Sequence, residues 1–354
     1  MRDLTHGGVT LVTGGTGLIG GEVILALARS GEPVRAVVRA ESAAHAWRRV
    51  IERLEKSEAY RRSLLPLIDA VAGDTAEPMF GMPPAGLTGV HRIIHAAANT
   101  QFSRRQHEQV WKTNVSGARN LVEIGRTLAR GARILFVSTA SVTTAPERSC
   151  IDEEAPFAGH ANTYSRSKRR AEAIVRKSGL DIVIVRPSIV LSRGVRDRAM
   201  ARSILWAVPI MGELGEIPVD PDACVDLVPV DYVAHAIVRL AVRPTLDHRV
   251  YHVSAGRDAR TFGELRDAVI ARHPELERIQ PVGRGCHVSD RARARLLRPL
   301  DAYLPFINAG VRYANDRLVA EAGAGAVAPC ALSYVPELVG LITLREALVE
   351  MYQP

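Results

Sequence analysis

Tyr164 and Lys168 stand four residues apart in "TYSRSK", a spacing that sets both side chains on one face of a helix. A lysine ammonium beside a phenol favours the phenolate and draws its pKa down from about 10. A tyrosine tuned in this way passes a proton to a carbonyl oxygen as a hydride arrives, and the lysine can also grip a nicotinamide ribose. Thr139 lies 25 residues upstream and brings a hydroxyl able to hydrogen-bond the same carbonyl. Ser138 and Ser141 are its hydroxyl-bearing neighbours. Taken alone, a Tyr/Lys pair at this spacing is common on solvated surface helices, so its meaning depends on what precedes it.

What precedes it is "LVTGGTGLIGGEVILALARSG", Leu11 to Gly31. Val9 to Thr13 is a short apolar run without alternation, as expected of a buried strand. Leu18 to Ser30 carries Ile19, Val23, Ile24 and Leu27 on one helical face and stops at Gly31. Glu32 to Val38 is a second strand, so the stretch predicts a βαβ unit. Within it, Gly14 permits a tight turn, Gly17 lets a pyrophosphate approach the backbone, and Gly20 lets the helix press on the strands. The free N–H groups at the helix start would meet the phosphates. Gly14, Thr16, Gly17, Leu18, Ile19 and Gly20 form the candidate dinucleotide-binding turn; a glycine-rich loop without a ligand is the bland alternative. At the end of the second strand, where an acid would serve NAD, stands Arg39, with Arg48 and Arg49 further on. Arginine suits a 2′-phosphate, so NADP(H) is expected over NAD(H), unless Arg39 is merely a solvated strand-end charge.

The alternation continues. Leu67–Asp74, His91–Ala98, "ARILFVSTASV" and "DIVIVRPSIV" read as strands three to six, the last stopped at Pro187. A helix containing "EQVWKTNVSGARNLVEIGRTLA" follows the fourth strand, and another starts near Asn162. Strands alternating with helices predict an α/β, Rossmann-type, doubly wound parallel sheet, which binds ligands at the carboxyl ends of its strands. That edge collects the glycine turn, Arg39, Asp74, Ala96, Ala97, Ala98, Ser138–Ser141, Pro187, Ser188 and Ile189. After Leu191 the rhythm changes. Residues 1–190 are expected to form the cofactor-binding domain. Residues 191–354 are expected to form a smaller, mostly helical substrate-binding cap, with segments at about 223–254 returning to the sheet. Pro209, Pro218, Pro221 and Pro229 predict a loop with little regular structure from Val208 to Val230. Trp206, Ile210, Met211 and Leu214 beside it would either line an acyl channel or pack the cap.

The composition narrows the partners. The chain has 354 residues, 47% hydrophobic and 24% charged, an ordinary soluble globular make-up of one large domain or two smaller ones. No apolar run reaches the roughly 18 residues of a membrane span, and the N-terminus does not read as a signal peptide. Cys150, Cys224, Cys286 and Cys330 form no CxxC pair, so reduced thiols in a cytoplasm are expected, with no metal site. The net charge is +8. No basic block is interleaved with aromatics, so nucleic acid is not expected; a polyanionic cofactor or substrate explains the surplus, as would a generally arginine-rich composition.

Together, "TGGTGLIG", "AGDT", "HAAA", "KTNVSGARNL", "VSTASV", "YSRSK" and "RPSIV" resemble the extended short-chain dehydrogenase/reductase family over about the first 190 residues. The resemblance implies that Thr139, Tyr164 and Lys168 are a catalytic trio, that Asn114 supports them from the helix beneath, that Asp74 contacts the adenine, and that Pro187 to Ile189 flank the nicotinamide. "AVVRAESAAHAWRRVIERL", "HAAANTQF", "DACVDLVPVDYVAHAIV" and "YHVSAG" are similar to the branch of fatty acyl-CoA reductases and thioester reductase domains. That branch implies NADPH-dependent reduction of an acyl thioester, on CoA or a carrier protein, to an aldehyde or alcohol. Reduction of a ketone or aldehyde, nucleotide-sugar epimerisation or dehydration, and non-catalytic NADP binding are the alternatives, and a homodimer is compatible with each.

Overall fold

The computed structural model describes residues 8–102, 104–128, 132–143, 148–156, 162–196, 204–284, 295–298 and 300–351; Cys286 lies outside them. The sequence opens with β1 (Val9–Thr13), α1 (Leu18–Arg29) and β2 (Val34–Val38). All ten strand residues are buried, which is why neither strand alternates: each is covered on both faces. Gly31, at φ +79°, ends α1 in the left-handed conformation that a side chain would resist. α2 (Ala43–Leu54), β3 (Ile68–Ala72) and β4 (Val90–His95) follow.

Next come α3 (His107–Trp111), α4 (Gly117–Thr127), β5 (Arg133–Val137), β6 (Cys150–Ile151), α5 (Thr163–Arg176), β7 (Ile182–Pro187) and β8 (Ile189–Leu191). The helix expected after β4 is present and runs from His107 to Thr127, but it is not α-helical throughout. Lys112–Ser116, between α3 and α4, is a π-helical turn, and Asn114 sits in it.

Seven strands form one parallel sheet in the order β12-β7-β5-β4-β1-β2-β3, where β12 is Val250–Val253. This is the Rossmann-like, doubly wound sheet, with helices on its faces and a helical C-terminal region. The strand order reverses between β1 and β4, so the turns after these strands open a crevice at the carboxyl edge. Pro187, which has no N–H to continue the ladder, ends β7 opposite Val253.

The C-terminal region differs from expectation between Val208 and Val230. α6 runs Ala207–Leu214, with short strands β9 (Glu216–Ile217), β10 (Cys224–Val225) and β11 (Leu227–Pro229) after it. Pro209 lies in the first turn of α6, where backbone N–H groups have no intrahelical partner, so its missing N–H costs nothing there. β11 pairs with β8 and β10 with β13 (Arg260–Thr261). Of the stretch 223–254, β12 joins the main sheet. α7 (Val230–Val242) packs on α1, burying Val233, Ile237 and Leu240 beside Val23, Ile24 and Leu27. Trp206, Ile210, Met211 and Leu214 are all buried, in an apolar cluster with α8 (Phe262–Arg272) and the helix Val335–Val339.

Candidate active site

Gly14 follows β1 at φ +74°. A Cβ there would lie 2.7 Å from the Ala97 nitrogen and 2.8 Å from the Ala96 carbonyl, so this turn fits against the end of β4 only as glycine. A Cβ on Gly20 would meet the Gly14 carbonyl oxygen at 2.2 Å. Gly20 therefore lets α1 press on the turn itself, where the sequence suggested the strands. α1 starts at Gly17 with no side-chain cap and no acid in its first turn, which leaves the N–H groups of Leu18, Ile19 and Gly20 without intrahelical acceptors. Thr16 is half-buried beside them and Ala98 is exposed past β4.

Arg53, which the sequence reading passed over, holds this turn from α2. Its Nε donates to the Gly17 carbonyl at 3.1 Å and its Nη2 to the Leu18 carbonyl at 3.0 Å. Nη2 also pairs with buried Glu22, which accepts from Ser57 as well. A Cβ on Gly21 would lie 2.8 Å from the Arg53 guanidinium carbon. The visible signal was the second glycine of "IGGE", followed by an acid on an otherwise apolar helix. Arg39 is exposed just past β2, and its carbonyl accepts from Arg49. Asp74 is half-buried after β3, with Oδ1 accepting from the Ala76 nitrogen at 2.9 Å.

Thr139, Tyr164 and Lys168 converge where β5 ends and α5 begins. Asn162 caps α5 by accepting from the Ser165 nitrogen at 2.8 Å, and this fixes Tyr164 in the first turn. Thr139 hydrogen-bonds Tyr164 and lies 3.0 Å from Ser141 Oγ, which reaches Ser165 Oγ at 3.1 Å. Lys168 Nζ, buried 4.4 Å above the Phe136 ring, donates to the Val137 carbonyl at 2.6 Å. Burial draws its ammonium down to about 8.

The direction expected for Tyr164 is overturned. Its phenol is pushed up to about 12, because burial outweighs the Thr139 hydrogen bond. The ammonium spends its reach on the Val137 carbonyl, so at neutral pH Tyr164 is a protonated donor.

Asn114 ties this cluster to β4. Its Oδ1 accepts from the Asn99 nitrogen at 2.8 Å, and its Nδ2 donates to the Asn99 carbonyl and to Ser167 Oγ. Ser167 donates in turn to the Tyr164 carbonyl at 2.7 Å. His95, at the end of β4, is stacked between Phe80 and Phe136 and pushed down to about 3 by burial, so it is neutral. After β7, Ser188 donates its N–H to the Val253 carbonyl, while Ser188 and Ile189 are half-buried beside β11.

An aromatic wall stands over Tyr164. The Phe102 ring lies 6.1 Å from that of Tyr164, 4.9 Å from Tyr303 and 6.2 Å from Phe306. No sequence rule brings residue 102 to residue 303. A separate cleft of about 1000 Å³ lies against α1, lined by Leu25, Arg29, Arg193 and Asp231 among others. It contains none of the candidate site residues.

The profile of the male sterility protein family, an NAD-binding type, matches residues 12–237. The chain belongs to this family. A nonribosomal peptide synthetase of Aspergillus flavus, asaC, is 24% identical over 269 residues, spanning 70% of this chain and 26% of that protein. A putative fatty acyl-CoA reductase of Drosophila melanogaster, CG8303, is 25% identical over 319 residues, 74% of this chain and 58% of that one. The chain thus spans about a quarter and somewhat over half of these relatives. The terminal R domain of the myxalamid PKS-NRPS pathway superposes with a TM-score of 0.73 at 23% identity, covering 98% of this chain and 90% of that one.

As a member of the male sterility protein family, the chain takes a nicotinamide dinucleotide as its cofactor class. The turn after β1 fits such a group: it is a cradle that a Cβ at Gly14 or Gly20 would fill, at a helix start with no acid to repel phosphate. No helix among the described residues is long and apolar enough to cross a membrane.

Proposed function

We propose that the protein is an NADPH-dependent reductase of acyl thioesters, carried on CoA or on a carrier protein. The observation that carries this reading is the Thr139–Tyr164 hydrogen bond beside buried Lys168, at the carboxyl edge of β5. The family relatives named as a fatty acyl-CoA reductase and a peptide synthetase support the substrate class. Gly14, Thr16, Gly17, Leu18, Ile19 and Gly20 would hold the pyrophosphate. Arg39 and Arg49 would hold a 2′-phosphate, Asp74 the adenine, and Ala96–Ala98 with Pro187–Ile189 the remaining length of the cofactor. Residues 1–190 serve as the cofactor-binding part and 191–354 as the substrate cap.

When bound, the cofactor supplies the hydride. Thr139 orients the thioester carbonyl, and Tyr164, held in its neutral form by burial, gives its proton to the carbonyl oxygen. Lys168 fixes the end of β5 and the ribose. The hemithioacetal that results breaks its C–S bond, leaving an aldehyde and a free thiol. Phe102 and Tyr303 keep water from the carbonyl.

The test is purified protein with NADPH or NADH and a panel of acyl-CoAs, acyl-pantetheines, aldehydes and ketones, followed at 340 nm with product identification. Thioester-dependent NADPH oxidation that releases thiol is expected. Oxidation with ketones or aldehydes alone, or sugar-nucleotide conversion without net oxidation, overturns the thioester reading.

A further inference from the structure

Arg53 lies against the first turn of α1 as a buried cation, 5% exposed. Its Nε and Nη2 donate to the carbonyl oxygens of Gly17 and Leu18. Each of those carbonyls shares a peptide group with an N–H of the helix start: Gly17 with the N–H of Leu18, and Leu18 with the N–H of Ile19. Neither N–H has an intrahelical acceptor. A hydrogen bond to a peptide oxygen polarises the whole amide and strengthens the N–H on its other side. One guanidinium therefore acts on two neighbouring peptide groups whose donors lie at the open end of α1.

The neighbouring residues are arranged around this contact. A Cβ on Gly21 would stand 2.8 Å from the guanidinium carbon and 2.9 Å from Nε, so it is the bare helix face that admits Arg53. Glu22 Oε1 meets Nη2 at 3.1 Å, and its Oε2 accepts from Ser57 Oγ at 2.8 Å. Ser57 is held in turn from beyond β8: it pairs with Val195, and the Glu58 nitrogen donates to the Gly194 carbonyl at 2.8 Å. Nη1 of Arg53 is buried without a hydrogen-bond partner among the described residues. An unsatisfied buried N–H is costly, and an apolar side chain would join α1 to α2 without that cost. Packing alone does not account for the arginine.

We infer that Arg53 is a positioning residue for the pyrophosphate of the cofactor: it orients and polarises the Leu18 and Ile19 N–H groups from behind, with Glu22 and Ser57 holding it in place. The inference rests on the reading of the glycine turn as the pyrophosphate seat and is independent of the substrate. It separates two roles at this end of the site. Arg39 and Arg49 would recognise the 2′-phosphate, which only one nicotinamide dinucleotide carries. Arg53 serves the part that both carry and has no bearing on which is chosen.

The test measures Kd for NADPH and for NADH by fluorescence titration, without turnover, on wild type, Arg53→Met, Arg53→Lys, Gly21→Ala and Gly14→Val. Arg53→Met should weaken both cofactors by the same factor, roughly five- to tenfold. Arg53→Lys keeps the charge but cannot span both carbonyls, so it should fall between Arg53→Met and wild type. Gly21→Ala keeps every charge and favours the helix, yet displaces the guanidinium. It should weaken both cofactors too, and adding it to Arg53→Met should cost nothing further. Gly21→Ala also decides the matter if Arg53→Met does not fold. Kd values within about twofold of wild type in Gly21→Ala, or a loss confined to NADPH, overturn the role of Arg53. Gly14→Val fills the cradle itself and should abolish binding of both cofactors. If it binds them as wild type does, the turn is not the pyrophosphate seat, and that reading falls with the inference. If Gly14→Val loses binding while Arg53→Met and Gly21→Ala keep it, the seat stands and the role of Arg53 falls alone. Wild type that binds neither cofactor overturns both.

Discussion

Asn114 Nδ2 donates to Ser167 Oγ at 2.8 Å, and through that hydroxyl it reaches the backbone carbonyl of Tyr164. The same amide clamps both backbone groups of Asn99. Asn114→Ala would leave a buried N–H, C=O and hydroxyl short of partners, at about 1–3 kcal/mol for a typical unsatisfied group. The urea midpoint should fall by a corresponding amount, and Ser167→Ala, which removes two hydrogen bonds where Asn114→Ala removes three, should cost less. An unchanged midpoint in Asn114→Ala would show that this network carries no stability.

Tyr164→Phe keeps the ring that packs on Phe102 and removes the proton. Turnover should drop by roughly 10²–10⁴-fold, while titration of NADPH fluorescence reports near-normal cofactor binding. A loss under about tenfold would exclude Tyr164 as the donor.

Arg39→Asp places an acid where a 2′-phosphate is expected. KM for NADPH should rise about 10- to 100-fold, the equivalent of one charged hydrogen bond, and KM for NADH should change little. Equal use of both cofactors by wild type would remove Arg39 from the site.

Activity should fall as pH rises past about 8, because burial holds the Lys168 ammonium there while Tyr164, at about 12, stays protonated. The stability sign is opposite. Below about 8 Lys168 is charged in both folded and unfolded chains and its burial cost is complete. Between 8 and its ordinary 10.5 the unfolded chain binds the extra proton, so stability gains with pH. In Lys168→Arg, which stays charged, the activity limb should move out of range. A limb at the same pH in both proteins would assign it to another group.

What the sequence made legible was local. The glycine turn, the Asn162-capped helix and the Tyr164/Lys168 face are set by spacing within a few residues, and the strands of the main sheet are short apolar-rich runs, although Arg35, Asp69, Arg92, Arg186 and His252 stand within them. Pro209 misled because its effect depends on position: a helix interior excludes proline, a first turn does not. The phenol of Tyr164 misled because the neighbouring lysine was countable in sequence and the burial was not. Arg53 under Gly17, and Phe102 against Tyr303, join residues 36 and 201 positions apart, which no periodicity encodes.

The outermost strand of the sheet has a consequence for how the protein is made. β12 pairs with β7, so until Val250–Val253 has left the ribosome the β7 edge lies open beside the helix carrying Tyr164. At typical synthesis rates the stretch from Pro187 to Val250 takes roughly 3–13 seconds. During that interval the nascent chain holds an almost complete cofactor-binding half with an unpaired strand edge that is apolar from Ile182 to Val185, the feature most prone to join a neighbouring chain. Cutting the gene after residue 190 would make that passing state permanent.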